Sequence, residues 1–133
     1  MSDAKKQILV VDDDIDLLEQ VGMILQSAGY EVHPAQGQEE AEEKLSSFIP
    51  DMAVVDLMME NMDSGFVLCH NIKKLYPGTP VIILTAVQAA TGLDFKARSA
   101  EAGSWVKADA LLDKPVRPEQ LKAEVHRLLK ERS

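Results

Sequence analysis

Apolar residues fall along this chain in two alternating rhythms. Short runs of consecutive valine, isoleucine and leucine predict buried strands, and longer stretches with apolar positions every third or fourth residue predict amphipathic helices. Gln7 to Val11 reads as a strand. Leu17, Leu18, Val21, Ile24, Leu25 and Ala28 then recur at helical spacing, with Asp14 placed to cap the helix and Gly29 to end it. Tyr30 to His33 is a short second strand. Gln38 to Phe48 is a second helix with Ala41, Leu45 and Phe48 as its stripe, closed by Pro50. Ala53 to Val55 makes a third strand that stops at Asp56. Phe66, Val67, Cys69, Ile72 and Leu75 mark a third helix, stopped by Pro77-Gly78. Pro80 to Leu84 is a fourth strand. From Ala86 to Lys107 the rhythm weakens: Thr91-Gly92 breaks it, Phe95 to Ala102 reads as a helix, and Gly103 to Lys107 as a loop. Ala110 to Leu112 is a fifth strand, and Pro118 opens a last helix with Leu121, Val125, Leu128 and Leu129 as its core face.

Strict alternation of strand and helix implies crossovers, and crossovers imply parallel strands. The expected fold is α/β, a doubly wound five-stranded parallel sheet with helices on both faces. At 133 residues the chain is expected to be one domain, residues 1–133 with a core of about 7–131, without an output domain or internal repeat. The 46% hydrophobic and 27% charged content is that of a globular chain. A net charge of −8 argues against a nucleic-acid or anionic-membrane surface as partner. The single cysteine, Cys69, excludes an internal disulfide and fits a reducing, cytoplasmic setting as a buried small hydrophobe. The N-terminal residues do not read as a signal peptide, and no stretch approaches the roughly 20 apolar residues of a membrane span.

Candidate chemistry gathers at the strand ends. Asp56 follows the third strand, Asp12 and Asp13 the first, Thr85 the fourth, and Lys114 comes just after the fifth. Parallel strands would bring all of these to the carboxyl edge of the sheet, where open α/β folds place their sites. Three carboxylates that close repel, so one is protonated or a cation sits among them. Hard oxygen ligands suit Mg²⁺ or Mn²⁺. A carboxylate is also a competent phosphoryl acceptor, with a metal, an ammonium (Lys114) and a hydroxyl (Thr85) to neutralise the transferred oxygens.

With those residues in place, the chain resembles a response-regulator receiver domain of two-component signalling, over roughly residues 7 to 131. The matching blocks are Ile8-Leu9-Val10-Val11-Asp12-Asp13, Val54-Val55-Asp56-Leu57-Met58-Met59, Met62-Asp63, Leu84-Thr85-Ala86 and Lys114-Pro115. The resemblance implies a flavodoxin-like sheet, Asp56 as phosphoacceptor, and Asp13 as the main metal ligand with Asp12 assisting and the Met58 carbonyl contributing. It further implies that Lys114 pairs with the phosphoryl group, that Thr85 moves to hydrogen-bond it, and that the Lys114-Pro115 peptide is cis. The implied donors are a sensor histidine kinase or a histidine phosphotransfer protein, and the implied output is docking to a downstream protein.

Several residues depart from the family pattern. Glu60 stands where proline is usual and Ser64 where glycine is common, which would loosen the loop after Asp56. Leu111 occupies the position of a coupling aromatic residue, and a plain core leucine is its simpler reading. Thr85 and Lys114 are 29 positions apart, longer than the family habit, and the extra length holds Gly92, Phe95 and Trp105. Met58 and Val87 are apolar where water approaches an acyl phosphate, so the phosphoryl group is expected to last minutes or longer. Asp14 reads as a helix cap, Asp63 as a turn residue, Asp113 as a solvated carboxylate, and His33, His70 and His126 as surface or boundary residues. Two other functions compete. One is a receiver used as a phosphorylation-independent scaffold. The other is a haloacid-dehalogenase-type phosphatase with Asp12 as nucleophile, which would leave Asp56 without a role.

Overall fold

The computed structural model describes residues 5–57, 64–85, 108–114 and 116–132. Five strands, β1 (Gln7–Val11), β2 (Glu31–Ala35), β3 (Met52–Asp56), β4 (Val81–Thr85) and β5 (Ala110–Asp113), form one parallel sheet in the order β2-β1-β3-β4-β5. Four helices are described: α1 (Ile15–Ser27), α2 (Gln38–Leu45), α3 (Ser64–Leu75) and α4 (Pro118–Arg132). The sheet is doubly wound, as its alternating pattern predicts. None of these helices is long and apolar enough to cross a membrane.

Side chains that alternate along each strand divide the core in two. Ile8, Val10, Met52, Val54, Ile82, Leu84 and Leu112 meet Leu18, Val21 and Leu25 of α1 and Leu121, Val125, Leu128 and Leu129 of α4. Leu9, Val11, Ala53, Val55, Val81 and Ile83 face the other way, onto Ala41 and Leu45 of α2 and Leu68, Cys69 and Ile72 of α3. Every residue of β3 and β4 is buried, the pattern of central strands covered on both faces.

Helix ends follow their caps. The Asp14 carboxylate accepts the Asp16 and Leu17 N–H groups at 3.0 and 3.4 Å. Gly29 takes φ 97°, and the N–H groups of Gly29 and Tyr30 close onto the carbonyls of Gln26 and Leu25. Three expectations need correction. The second helix stops at Leu45, because Ser46 and Ser47 turn their hydroxyls onto the Glu43 and Lys44 carbonyls; Phe48, past its end, still packs on the cluster of Ala41 and Leu45 and stacks on the His33 ring at 4.2 Å. The second strand runs Glu31–Ala35, with Pro34 tolerated because β2 is an edge strand. Leu111 is not a core leucine. Leu112 takes the core position of β5, and Leu111, on the opposite face of this edge strand, is 38% exposed.

At the opposite edge of the sheet from the carboxylates, one device appears twice. Asp51, just before β3, donates its N–H to the Gln7 carbonyl and accepts the Gln7 N–H on its carboxylate, both at 2.7 Å. Asp109, just before β5, does the same with Val81 at 2.8 Å, and its carboxylate also holds Lys73 of α3 at 2.8 Å. These reciprocal pairs fix where adjacent strands begin, and so fix the register that brings their far ends together. Asp109→Ala is expected to cost roughly 1–3 kcal/mol in urea unfolding, since it strands a backbone donor. Lys73→Met, which keeps most of the covered stem and removes the ion pair, should cost under about 1 kcal/mol. Equal losses would show that the ion pair, not the strand-start bond, carries the effect.

Candidate functional site

The chain passes from β2 across β1 to β3, so β1 and β3 are neighbours whose following segments leave on opposite faces of the sheet. Such a switch point opens a crevice at the strand ends. Asp12 comes directly after β1, with its N–H bonded to the Ala35 carbonyl at 3.1 Å. Asp56 is the last residue of β3, and the next N–H, that of Leu57, is held by the Leu84 carbonyl at 2.8 Å. Thr85 ends β4, and its carbonyl accepts the Lys114 N–H at 2.8 Å, which sets Lys114 beside the crevice.

Carboxylate oxygens of Asp12, Asp13 and Asp56 lie within 4.8 Å of one another. Asp12 and Asp56 are buried, at 2% and 5% exposure, while Asp13 is open to solvent. The Lys114 ammonium contacts Asp56 Oδ1 at 2.7 Å and Asp12 Oδ2 at 3.4 Å. Asp12 Oδ1 accepts the Asp14 N–H at 2.9 Å. Thr85 is buried at the end of the strand next to β3.

The electrostatics follow from burial. Desolvation raises the Asp56 carboxyl above its ordinary value of 3.8; the bond from Lys114 opposes the rise without cancelling it, and the charge of Asp13 adds to it. Asp12 is raised in the same way by burial, against the Asp14 N–H and with the charge of Asp56. Burial works against the Lys114 ammonium, but its hydrogen bond to Asp56 and the charges of both carboxylates outweigh that, and its pKa rises. One ammonium thus contacts two of the three carboxylates. A hard divalent cation fits this donor set, with oxygen ligands at the right separation and one side open to water.

The structure therefore brings together Asp12, Asp13, Asp56 and Lys114, with Thr85 on the adjoining strand end. It places Asp14 as the α1 cap, as expected, and leaves His33, His70 and His126 on separate elements, His33 and His70 half-buried and His126 exposed. Met58, Glu60, Asp63, Val87, Phe95, Trp105 and Pro115 lie outside the described residues, as does the side chain of Asp113.

One residue the sequence reading missed is Gly65. A Cβ there would stand 2.5 Å from the Asp56 carbonyl oxygen and from Leu57 Cα, closer than real contacts allow. The Gly65 N–H reaches the Leu57 carbonyl at 2.7 Å, so the start of α3 is pressed against the backbone that carries Asp56. Ser64, where a glycine would be common, is accommodated as a buried first residue of α3; the tight approach falls one residue later. The available signal was a glycine inside an otherwise apolar helical start.

Two outcomes follow. Gly65→Ala should shift the Asp56 backbone and weaken divalent-cation binding, read by calorimetry, while Gly22→Ala, in an uncrowded position, leaves it unchanged. A carboxyl with a raised folded pKa holds its proton more tightly when folded, so its ionisation opposes folding above that pKa. Asp12→Asn should therefore raise the melting temperature of the metal-free protein at pH 7. The gain should shrink as pH falls towards 3.8, where the wild-type carboxyl becomes neutral too. A variant that melts lower at pH 7 without metal would contradict this.

Comparison with known proteins agrees with this geometry. The model of the response regulator receiver domain matches residues 8–126. The transcriptional regulatory protein GlrR of Escherichia coli K12 is 43% identical over 86 residues, covering 65% of this chain and 19% of that protein. The response regulator MprA of Mycolicibacterium vanbaalenii is 34% identical over 124 residues, covering 93% of this chain. The chain thus spans about half the length of MprA and a fifth of GlrR. Among solved structures, a CheY-like receiver domain protein from Methanospirillum hungatei superposes with a TM-score of 0.81 at 32% identity, covering 97% of both chains. CheY4 of Vibrio cholerae gives 0.80 at 30% identity, covering 94% of this chain and 99% of that one. The chain belongs to the response regulator receiver domains, the phosphoacceptor modules of two-component signalling.

Proposed function

We propose that Asp56 is the phosphoacceptor of this domain, that its donor is a sensor histidine kinase or a histidine phosphotransfer protein, and that the phosphorylated domain signals by docking to another protein in the cytoplasm. The observation that carries this reading is the Lys114 ammonium 2.7 Å from Asp56 Oδ1 inside a cluster of three carboxylates. A carboxylate oxygen of Asp56 would form the new bond to phosphorus as the bond to the donor's imidazole nitrogen breaks, the electron pair returning to the ring. Lys114 would follow the transferred oxygens, neutralising charge that the buried site cannot leave to water. Thr85, one strand over, would supply a hydroxyl donor. Asp12, Asp13 and Asp56 would hold Mg²⁺ or Mn²⁺, which when bound offsets the negative charge that gathers between acceptor and donor.

Asp12 is less well placed as the nucleophile, because the Lys114 ammonium stands 3.4 Å from it against 2.7 Å from Asp56. Use of the fold as a scaffold alone would leave the raised carboxyls of Asp12 and Asp56 without a role.

Incubation of the protein with acetyl phosphate and Mg²⁺, followed by intact-mass spectrometry, should show a gain of one phosphoryl group. The gain should be lost in Asp56→Asn and in the presence of a chelator, and slowed by about 10²–10³-fold in Lys114→Ala. The acyl phosphate should persist for minutes or longer, given the apolar Met58 and Val87. No gain in the wild type would favour the scaffold reading, and a gain that survives in Asp56→Asn but not in Asp12→Asn would favour the hydrolase.

A further inference from the structure

Between α1, the outer edge of β2 and α2 lies an open groove of about 440 Å³, lined by none of the carboxylates of the site. Its α1 side contains three features that the fold itself does not call for. Gly22 sits in the middle of the helix, where glycine costs about 1 kcal/mol relative to alanine. Neither backbone nor crowding requires it, since a Cβ would meet Val32 Cγ1 at an ordinary 3.6 Å. Its missing side chain deepens the groove over Val32. Ile15 and Met23 border the same groove and are 52% and 67% exposed, two of the five exposed large hydrophobics among the described residues. Local rules broken together in one place mark a surface kept for something other than stability.

The occupant can be narrowed by chemistry. Glu31 and Ala35 bond to Lys6 and Asp12 at the two ends of β1, so the alternation of the strand turns the backbone groups of Val32 and Pro34 outward. Pro34 has no N–H, its carbonyl is taken by the Lys44 ammonium, and the next N–H, that of Gln36, is held by Glu40 at 2.9 Å. Strand addition is therefore blocked at the Pro34–Gln36 end of this edge. Recognition there has to come from side chains. The wall from Ile15 to Gln26 runs about 16 Å, three turns of helix. Its rim carries Glu19 and Glu40, α2 bears four glutamates, and the chain is at −8, which disfavours a second copy.

We propose that this groove docks an amphipathic helix of a partner protein, with apolar side chains seated over Leu18, Gly22 and Val32 and lysine or arginine on its flanks. The proposal does not depend on phosphorylation of Asp56. The test uses the whole chain, ¹⁵N-labelled, titrated with an alanine-based helical peptide bearing leucine at i, i+3, i+4 and i+7 and flanking arginines. Saturable shifts are expected at Ile15, Glu19, Gly22, Met23 and Val32, with binding weakened about tenfold or more by Met23→Glu. Gly22→Ala, which should fold and melt at least as high as wild type, is expected to weaken binding as well, by filling the floor. A scrambled peptide of the same composition should give no saturable shifts at these residues. Absent shifts, equal shifts with the scrambled peptide, or indifference to both substitutions would overturn the proposal. So would sedimentation showing a dimer of this chain that Met23→Glu dissolves.

Discussion

Buried carboxylates gathered at the tips of a parallel sheet are the constraint on which the rest of this molecule depends. Asp12 and Asp56 are almost wholly out of water, Asp13 stands beside them, and a single ammonium at 2.7 and 3.4 Å answers the charge. Left to itself the cluster weakens the fold, because desolvation and mutual repulsion both favour protons that neutral pH does not supply. The same shortage of positive charge makes the cluster receptive to a divalent cation and to chemistry that develops negative charge beside Lys114. Stability is conceded here in return for a poised site.

The surrounding fold is what makes that concession sustainable. Two apolar layers cover β3 and β4 completely, so the strand that carries Asp56 cannot shift to relieve the repulsion. Asp51 and Asp109 pin the starts of β3 and β5, and thereby the height at which Asp56 and Lys114 emerge. Gly65 packs the start of α3 against the carbonyl of Asp56 itself, so Asp56 is held from both sides. The groove beside α1 is lined by none of these residues and lies apart from the carboxylate cluster.

Much of this was legible in the residues. Valine- and isoleucine-rich runs ending in Asp12, Asp56 and Thr85, with Lys114 after a shorter run, placed the sheet edge and its chemistry, because a parallel sheet leaves those residues nowhere else to go. Caps were equally readable at Asp14 and Gly29, where local hydrogen bonding decides the outcome. What escaped depends on tertiary context. Phe48 continues the helical period of α2, yet serine hydroxyls end that helix and a histidine ring receives the phenyl group. Leu111 and Leu112 are the same residue type in one strand, and only pleat and edge position decide which is buried. Gly65 and the paired roles of Asp51 and Asp109 involve backbone far away in sequence, which no local pattern reports.

The most direct test of the central claim is a crystal structure of the protein with Mn²⁺ and beryllium trifluoride, a stable mimic of a phosphoryl group. An anomalous manganese peak among Asp12, Asp13 and Asp56, with the beryllium adduct on Asp56 and the Lys114 ammonium against its fluorines, is the predicted result. An adduct on Asp12, or a metal bound away from these three carboxylates, would contradict it.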